Sequence, residues 1–206
     1  MDWLKKQHHA LWQFYRETFG EALLMTTAAF LIICLLGFGV SLFNKSIPEF
    51  VVNYFTQMVR DGNIVTDDGT IHFGALLVNN LRAAAISVLY GFIPFIYLTA
   101  LAVGMNALIL GVLAAYYVNS GTSLLIYFAG ILPHGVFELS ALLIAFALGL
   151  LLCRRITQYV RKNTKGMMKL LLCNIARSFV MHVLPLLVMA AVVETYITPA
   201  VLALFM

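Results

Sequence analysis

The sequence predicts an all-α, polytopic membrane helix bundle of about five transmembrane helices, with amphipathic interfacial helices and one Pro-broken helix. Three observations carry that reading. Hydrophobic residues make up 62% of the 206-residue chain and charged residues only 11%, with a mean hydropathy of +0.94, which is too apolar for a soluble domain. Uncharged runs long enough to cross a hydrocarbon core of about 30 Å recur along it. Arg154, Arg155, Arg161, Lys162, Lys165, Lys169 and Arg177 are gathered between two such runs with no acid among them, the mark of a cytoplasmic segment under the positive-inside rule. Residues 1–206 therefore read as a single integral membrane domain. A basic nucleic-acid surface would need a folded platform, so the net charge of +4 is assigned to topology and lipid headgroups, and no nucleic-acid partner is expected.

Taken in order, Trp3, Leu4, Leu11, Trp12, Tyr15 and Phe19 recur at three and four residues, so residues 1–20 are expected to form a cytoplasmic interfacial helix. His8 and His9 are adjacent, point about 100° apart on a helix, and are read as headgroup-level residues. Ala22 to Phe43 carries no charge and reads as a first span, a retained signal anchor. Residues 44–72 form an expected external segment: Ser46-Ile47-Pro48-Glu49 has the form of a capping box opening a helix, and Asp61-Gly62-Asn63 and Asp67-Asp68-Gly69 mark turns. EF-hand spacing is absent from those acids.

The apolar stretch from Ala83 to Val118 would be about 54 Å long as one helix and is divided into two spans, with the boundary expected near Val103 and Gly104. Each half carries a stripe of small residues for close packing, Ala83/Ser87/Gly91 and Ala107/Gly111/Ala115. Thr122 to Leu152 is again too long for one straight crossing, and Pro133 with Gly135 is expected to break it. Ala141, Ala145 and Gly149 then line up below Glu138 as a third small-residue stripe. The basic cytoplasmic loop is placed at 153–177 and the last span from about Ser178 to Val193, with His182 inside it as a packing residue. Cys34, Cys153 and Cys173 show no C-x-x-C spacing, so neither a disulfide framework nor a zinc ribbon is indicated.

Against this apolar background the ionisable residues stand out. His134 and Glu138 are four apart, hence on one helix face, and ionisable groups at membrane depth need partners. Counting crossings from the basic loop puts the amino terminus inside and brings Arg82, His134, Glu138 and Glu194 toward the outer leaflet. There one cation, two carboxylates and an imidazole can compensate one another, with Asn79 and Asn80 as further donors and Arg82 as the expected counter-charge. Asn106 falls near the inner end in a separate packing contact. No catalytic motif accompanies the cluster: H-E-x-x-H and G-x-S-x-G are absent, and His134 with Glu138 leaves a zinc site short of ligands. No catalytic residue, metal or cofactor is therefore expected.

The run Leu132-Pro133-His134-Gly135-Val136-Phe137-Glu138, continued by Leu139-Ser140-Ala141, resembles the signature of the stage II sporulation protein M family of bacterial integral membrane proteins. Asn79-Asn80-Leu81-Arg82, Asn106 with Gly111, and Glu194-Thr195-Tyr196-Ile197-Thr198-Pro199 add to the resemblance. It implies a multi-pass membrane fold and a non-catalytic scaffold or assembly subunit. Its expected partners are other membrane or envelope proteins, peptidoglycan hydrolases among them, in envelope remodelling or engulfment. The alternative from the residues themselves is a small oligomeric transporter or channel using the His134/Glu138 cluster, and the small-residue stripes would equally serve a homo-oligomer.

Overall fold

A computed structural model describes residues 2–44, 46–61, 71–162 and 168–205, and the fold they form is helical. Among the described residues, five helical stretches are long and apolar enough to cross a membrane: Lys5–Phe43, Phe73–Phe92, Leu98–Asn119, Leu124–Arg161 and Met168–Leu202. The helices are α1 (Asp2–Phe14), α2 (Gly20–Phe43), α3 (Ser46–Asp61), α4 (Phe73–Leu89), α5 (Leu98–Asn119), α6 (Leu124–Lys162), α7 (Met168–Ser178), α8 (Leu184–Val192) and α9 (Thr198–Leu202). Single π-helical turns join α1 to α2 (Tyr15–Phe19), α7 to α8 (Phe179–Val183) and α8 to α9 (Val193–Ile197).

Helix α6 is the hub, packing against α2, α4, α5, α8 and α9, while α2 pairs along its length with α5. Small residues explain how closely these backbones meet. A Cβ on Gly111 of α5 would strike the Cys34 carbonyl of α2, and one on Gly149 of α6 would strike the Ser87 carbonyl and the Thr99 hydroxyl. Ala107, Ala115, Ala141 and Ala145 are fully buried in the same seams. The Thr99 hydroxyl donates to the Ser87 carbonyl at 2.8 Å, so the α4, α5 and α6 backbones are tied where they come nearest. Along α4 and the turn that follows it the buried stripe is Asn80, Ala84, Ser87 and Gly91, so Ser87 and Gly91 are buried as expected and Ala84 takes the place of the exposed Ala83.

Four sequence expectations are corrected. Pro133 does not break α6, which runs helical through its 39 residues, about 58 Å. The proline removes one hydrogen bond, to the Ala129 carbonyl, and the packing of both flanking segments outweighs that loss. The boundary between the second and third spans lies at residues 93–97 and not at Val103. Pro94 disfavours helix at Ile93, which is extended (φ −93°, ψ 101°), and Phe95 and Tyr97 adopt left-handed φ values of 71° and 52°. That turn is fastened to α6 by a Phe95 N–H bond to Thr157 Oγ1 at 3.0 Å, a Cys153 Sγ bond to the Ile93 carbonyl at 3.3 Å, and Arg161 stacked 5.7 Å from the Phe95 ring centroid. These contacts hold the unfavourable φ values in place.

The basic segment 153–177 is mostly helix, since α6 extends to Lys162 and α7 begins at Met168. Residues 2–14 form the expected amphipathic helix, α1, with Lys5, Lys6, His8, His9 and Trp12 exposed. They run into the first span through the π turn, and Leu11 and Phe14 are buried in the core cluster that includes Leu171 and Ile175 of α7. The α1 and α7 contact puts Lys5, Lys6 and Arg16 at the end of the bundle that also carries Arg154 to Arg177. In the 44–72 segment, Asn44 Oδ1 accepts from the Ser46 N–H at 3.2 Å, a capping role expected of Ser46. The turns at 62–70 lie outside the described residues.

Candidate functional site

The ionisable residues meet where α6 faces the carboxyl-terminal helices. His134 and Glu138 occupy one face of α6, a helical turn apart, and Glu194 lies in the π turn between α8 and α9. One ligand atom from each of His134, Glu138 and Glu194 lies within 4.8 Å of the other two, and His134 Nε2 is 3.9 Å from Glu194 Oε2. His134 and Glu194 are largely buried, with side chains 13% and 21% exposed. On its other nitrogen, His134 Nδ1 is 3.2 Å from Thr198 Oγ1, and the Thr198 hydroxyl donates to the Val193 carbonyl at 3.2 Å.

Local sequence accounts for this placement. The stripe Ala141, Ala145, Gly149 lets neighbouring helices close against the face of α6 that carries His134 and Glu138, whereas a Cβ on Gly135 would meet only Ile131 of α6 itself. The π turn Val193–Ile197 inserts one extra residue per turn, which rotates Glu194 and Thr198 relative to α8 and turns both toward α6. Such single π turns concentrate at functional sites. Thr198 is the participant that sequence reasoning missed. Its signal was the i, i+4 spacing from Glu194 inside the Glu194–Pro199 string.

Three of the predicted residues are thus brought together, and three are not. Asn80 is buried on α4, with its Nδ2 donating to no described group. Asn79 and Arg82 are exposed on the opposite face of α4. Arg82 is therefore not the counter-charge of the carboxylates, and among the described residues no Lys or Arg lies within 4.0 Å of Glu138 or Glu194. Depth alone groups Arg82 with the acids, and the helical phase that buries Asn80 and Ala84 turns it away. Asn106 is likewise not a packing residue. Its side chain is exposed and its Nδ2 bonds back to the Ala102 carbonyl of its own helix at 2.9 Å.

A second polar contact lies toward the basic end. The Tyr15 hydroxyl sits 2.6 Å from Ser178 Oγ and 3.0 Å from His182 Nδ1, so two of the π turns meet there. They border a cavity of about 530 Å³ whose walls include His8, Trp12, Tyr15, Met181, His182 and Pro185. None of the cluster residues lines it. His182 thus has the packing partner that its position called for.

The combination of one imidazole and two carboxylates, shared between two helices and oriented by a hydroxyl, can bind a proton or a cation and can pin the helices to each other. It presents no nucleophile with an adjacent base. Compared with known proteins, residues 24–199 match a family model described as stage II sporulation protein M. An uncharacterized protein of Methanocaldococcus jannaschii is 32% identical over 139 residues, covering 63% of this chain and 72% of the relative. No solved structure matches the chain.

Proposed function

The chain belongs to the stage II sporulation protein M family of membrane proteins, and from that premise we propose that it is a non-catalytic membrane scaffold that assembles other envelope proteins. The observation that carries the proposal is the contrast between its inside and its outside. The ionisable groups are turned toward one another between α6 and the last helices, whereas α2 presents a long unpartnered apolar face through Leu24, Leu31, Leu35 and Leu36. The amphipathic α3 adds exposed Phe50 and Tyr54. A molecule that closes its polar site internally and leaves wide faces to its neighbours suits assembly better than solute passage. The resemblance supplies the class of partner, peptidoglycan hydrolases of the envelope.

The orientation that goes with this proposal has the amino terminus in the cytoplasm. Lys5, Lys6 and Arg16 share an end with Arg154, Arg155, Arg161 and Arg177, which supports that orientation through the positive-inside rule. Reporter fusions after residue 165 and residue 205 are expected on opposite sides, with the first inside.

Photo-crosslinking residues placed at Leu35 and Leu36 should join the chain to an envelope hydrolase in its native cells, and deleting the chain should disperse that hydrolase from its site. Solute flux by the purified chain alone in liposomes, with no crosslinked hydrolase in cells, would overturn the scaffold in favour of a transporter.

A further inference from the structure

We propose that His134, Glu138 and Glu194 form a binding site for a borderline divalent cation of the zinc and manganese class, clamping α6 to the carboxyl-terminal helices. The inference stands apart from the scaffold role.

Hydrogen bonding fixes the histidine first. The Thr198 hydroxyl lies 3.2 Å from both the Val193 carbonyl and His134 Nδ1, and donating to the carbonyl is the arrangement in which both contacts are hydrogen bonds. Thr198 Oγ1 can then only accept from His134, which places a proton on Nδ1 at 3.2 Å and leaves the Nε2 lone pair in the neutral ring. That lone pair faces Glu194 Oε2 across 3.9 Å. Two electron-rich atoms so disposed repel unless something positive lies between them, and the gap is wider than the roughly 3.2 Å limit of a good N–H···O bond. A cation fits it better than a shared proton. Zinc ligands at about 2.1 Å in a tetrahedron are about 3.4 Å from one another, so the His134–Glu194 gap must close by about half an ångström and the widest gap, at most 4.8 Å, by up to about 1.4 Å, with the fourth position left to water.

Charge balance points the same way. Two carboxylates lie in apolar runs, and among the described residues no Lys or Arg is within 4.0 Å of either. A divalent cation neutralises both, leaving a site of no net charge with a neutral imidazole, the form in which such groups are tolerated at membrane depth. The ligand types select the metal. Imidazole nitrogen disfavours magnesium and calcium, and carboxylate oxygen without thiolate disfavours the softest ions, which leaves the first-row divalent ions, with zinc and manganese as the probes at the two ends of that range. The Thr198 contact is the outer hydrogen bond that orients a metal-bound histidine.

The test uses the full chain without an affinity tag, purified in detergent, stripped with a chelator and titrated separately with Zn²⁺, Mn²⁺ and Mg²⁺. Metal content is read by mass spectrometry, affinity by competition with a chromophoric chelator, and folding by thermal melting. The expected result is saturable binding of one Zn²⁺ or Mn²⁺ per chain that raises the melting temperature. Glu194→Gln and Glu138→Gln should abolish it, and Thr198→Val should weaken it by about 10–100-fold. His8→Gln with His9→Gln, far from the cluster, should leave it intact. The proposal is overturned if the stripped wild type binds neither ion, if it prefers Mg²⁺, or if binding survives Glu194→Gln and disappears with the His8 and His9 changes. Should the glutamine variants fail to fold, the wild-type titration decides alone.

Discussion

The two halves of α6 solve opposite problems with the same backbone. From Ala141 onward the helix is fitted to its neighbours through small residues, with Ala141 and Ala145 fully buried and Gly149 set against the Ser87 carbonyl and the Thr99 hydroxyl. Before Ala141 it carries His134, which lies 3.2 Å from Thr198 Oγ1 and 3.9 Å from Glu194 Oε2, and Glu138, with a carboxylate oxygen within 4.8 Å of the ligand atoms of both His134 and Glu194. The first arrangement leaves no room for a methyl group; the second leaves room for an ion. Stability is therefore concentrated in one half and chemistry in the other, and the close-packed half holds the polar half in register. In lipid this division is expected, because helix association there depends on intimate packing rather than on burial from water.

The sharpest way to break the comparison is to overfill the packed half. Gly149→Val would drive a side chain into the Ser87 carbonyl and the Thr99 hydroxyl, neither of which can retreat without moving a helix. We expect a loss of about 3 kcal/mol or more, at the upper end of overpacking costs, read as a fall in melting temperature in detergent. Ala145→Leu should follow it closely, whereas Leu143→Ala, at a half-buried position, should cost clearly less. Equal losses for Ala145→Leu and Leu143→Ala would mean that the packed face has been misassigned. Gly111→Ala probes the neighbouring seam, where the added methyl meets the Cys34 carbonyl, and should cost about 1–3 kcal/mol.

In the polar half the same measurement should respond less. Glu194→Gln keeps shape and hydrogen-bonding capacity while removing a charge, so without added metal it should change stability by about 1 kcal/mol or less. A loss as large as that of Gly149→Val would show that the cluster is a structural lock rather than a binding site resting on a packed frame.

Much of this was legible in the sequence because the relevant signals are periodic. Five spans follow from apolar runs, and the stripes Ala107/Gly111/Ala115 and Ala141/Ala145/Gly149 follow from four-residue spacing on helices whose phase is uninterrupted. The meeting of His134, Glu138 and Glu194 was also foreseen, since ionisable groups in lipid must find one another. What was not legible depends on where helices start and how their phase is shifted. Pro94 and Pro133 look alike as symbols, yet the first ends a helix and the second is absorbed by one, because only Pro94 lies where the chain can turn and be caught by Thr157 and Cys153. The π turns at Tyr15–Phe19, Phe179–Val183 and Val193–Ile197 leave no mark in residue type, and the last of them brings Thr198 to His134. Depth alone places Arg82 in the cluster and Asn106 in a seam, and depth does not fix which face of a helix a residue occupies.

The correction at Arg82 yields the smallest expected effect and the most discriminating one. If Arg82 were the counter-charge of the carboxylates, Arg82→Leu would strand a buried negative charge, and pairing it with Glu138→Gln or Glu194→Gln would recover stability. On α4, however, the face that packs inward carries Asn80, Ala84 and Ser87, and Arg82 is exposed, with a long stem able to carry its charge toward an interface. We therefore expect Arg82→Leu alone to change stability by no more than about 0.5 kcal/mol. Both double mutants should be additive within about 0.5 kcal/mol, when melting is followed for the wild type, the three single variants and the two pairs. Rescue of Arg82→Leu by either glutamine would put Arg82 back in the cluster. It would also supply the positive charge for which a bound cation is otherwise required, so this double-mutant cycle and the metal titration must agree.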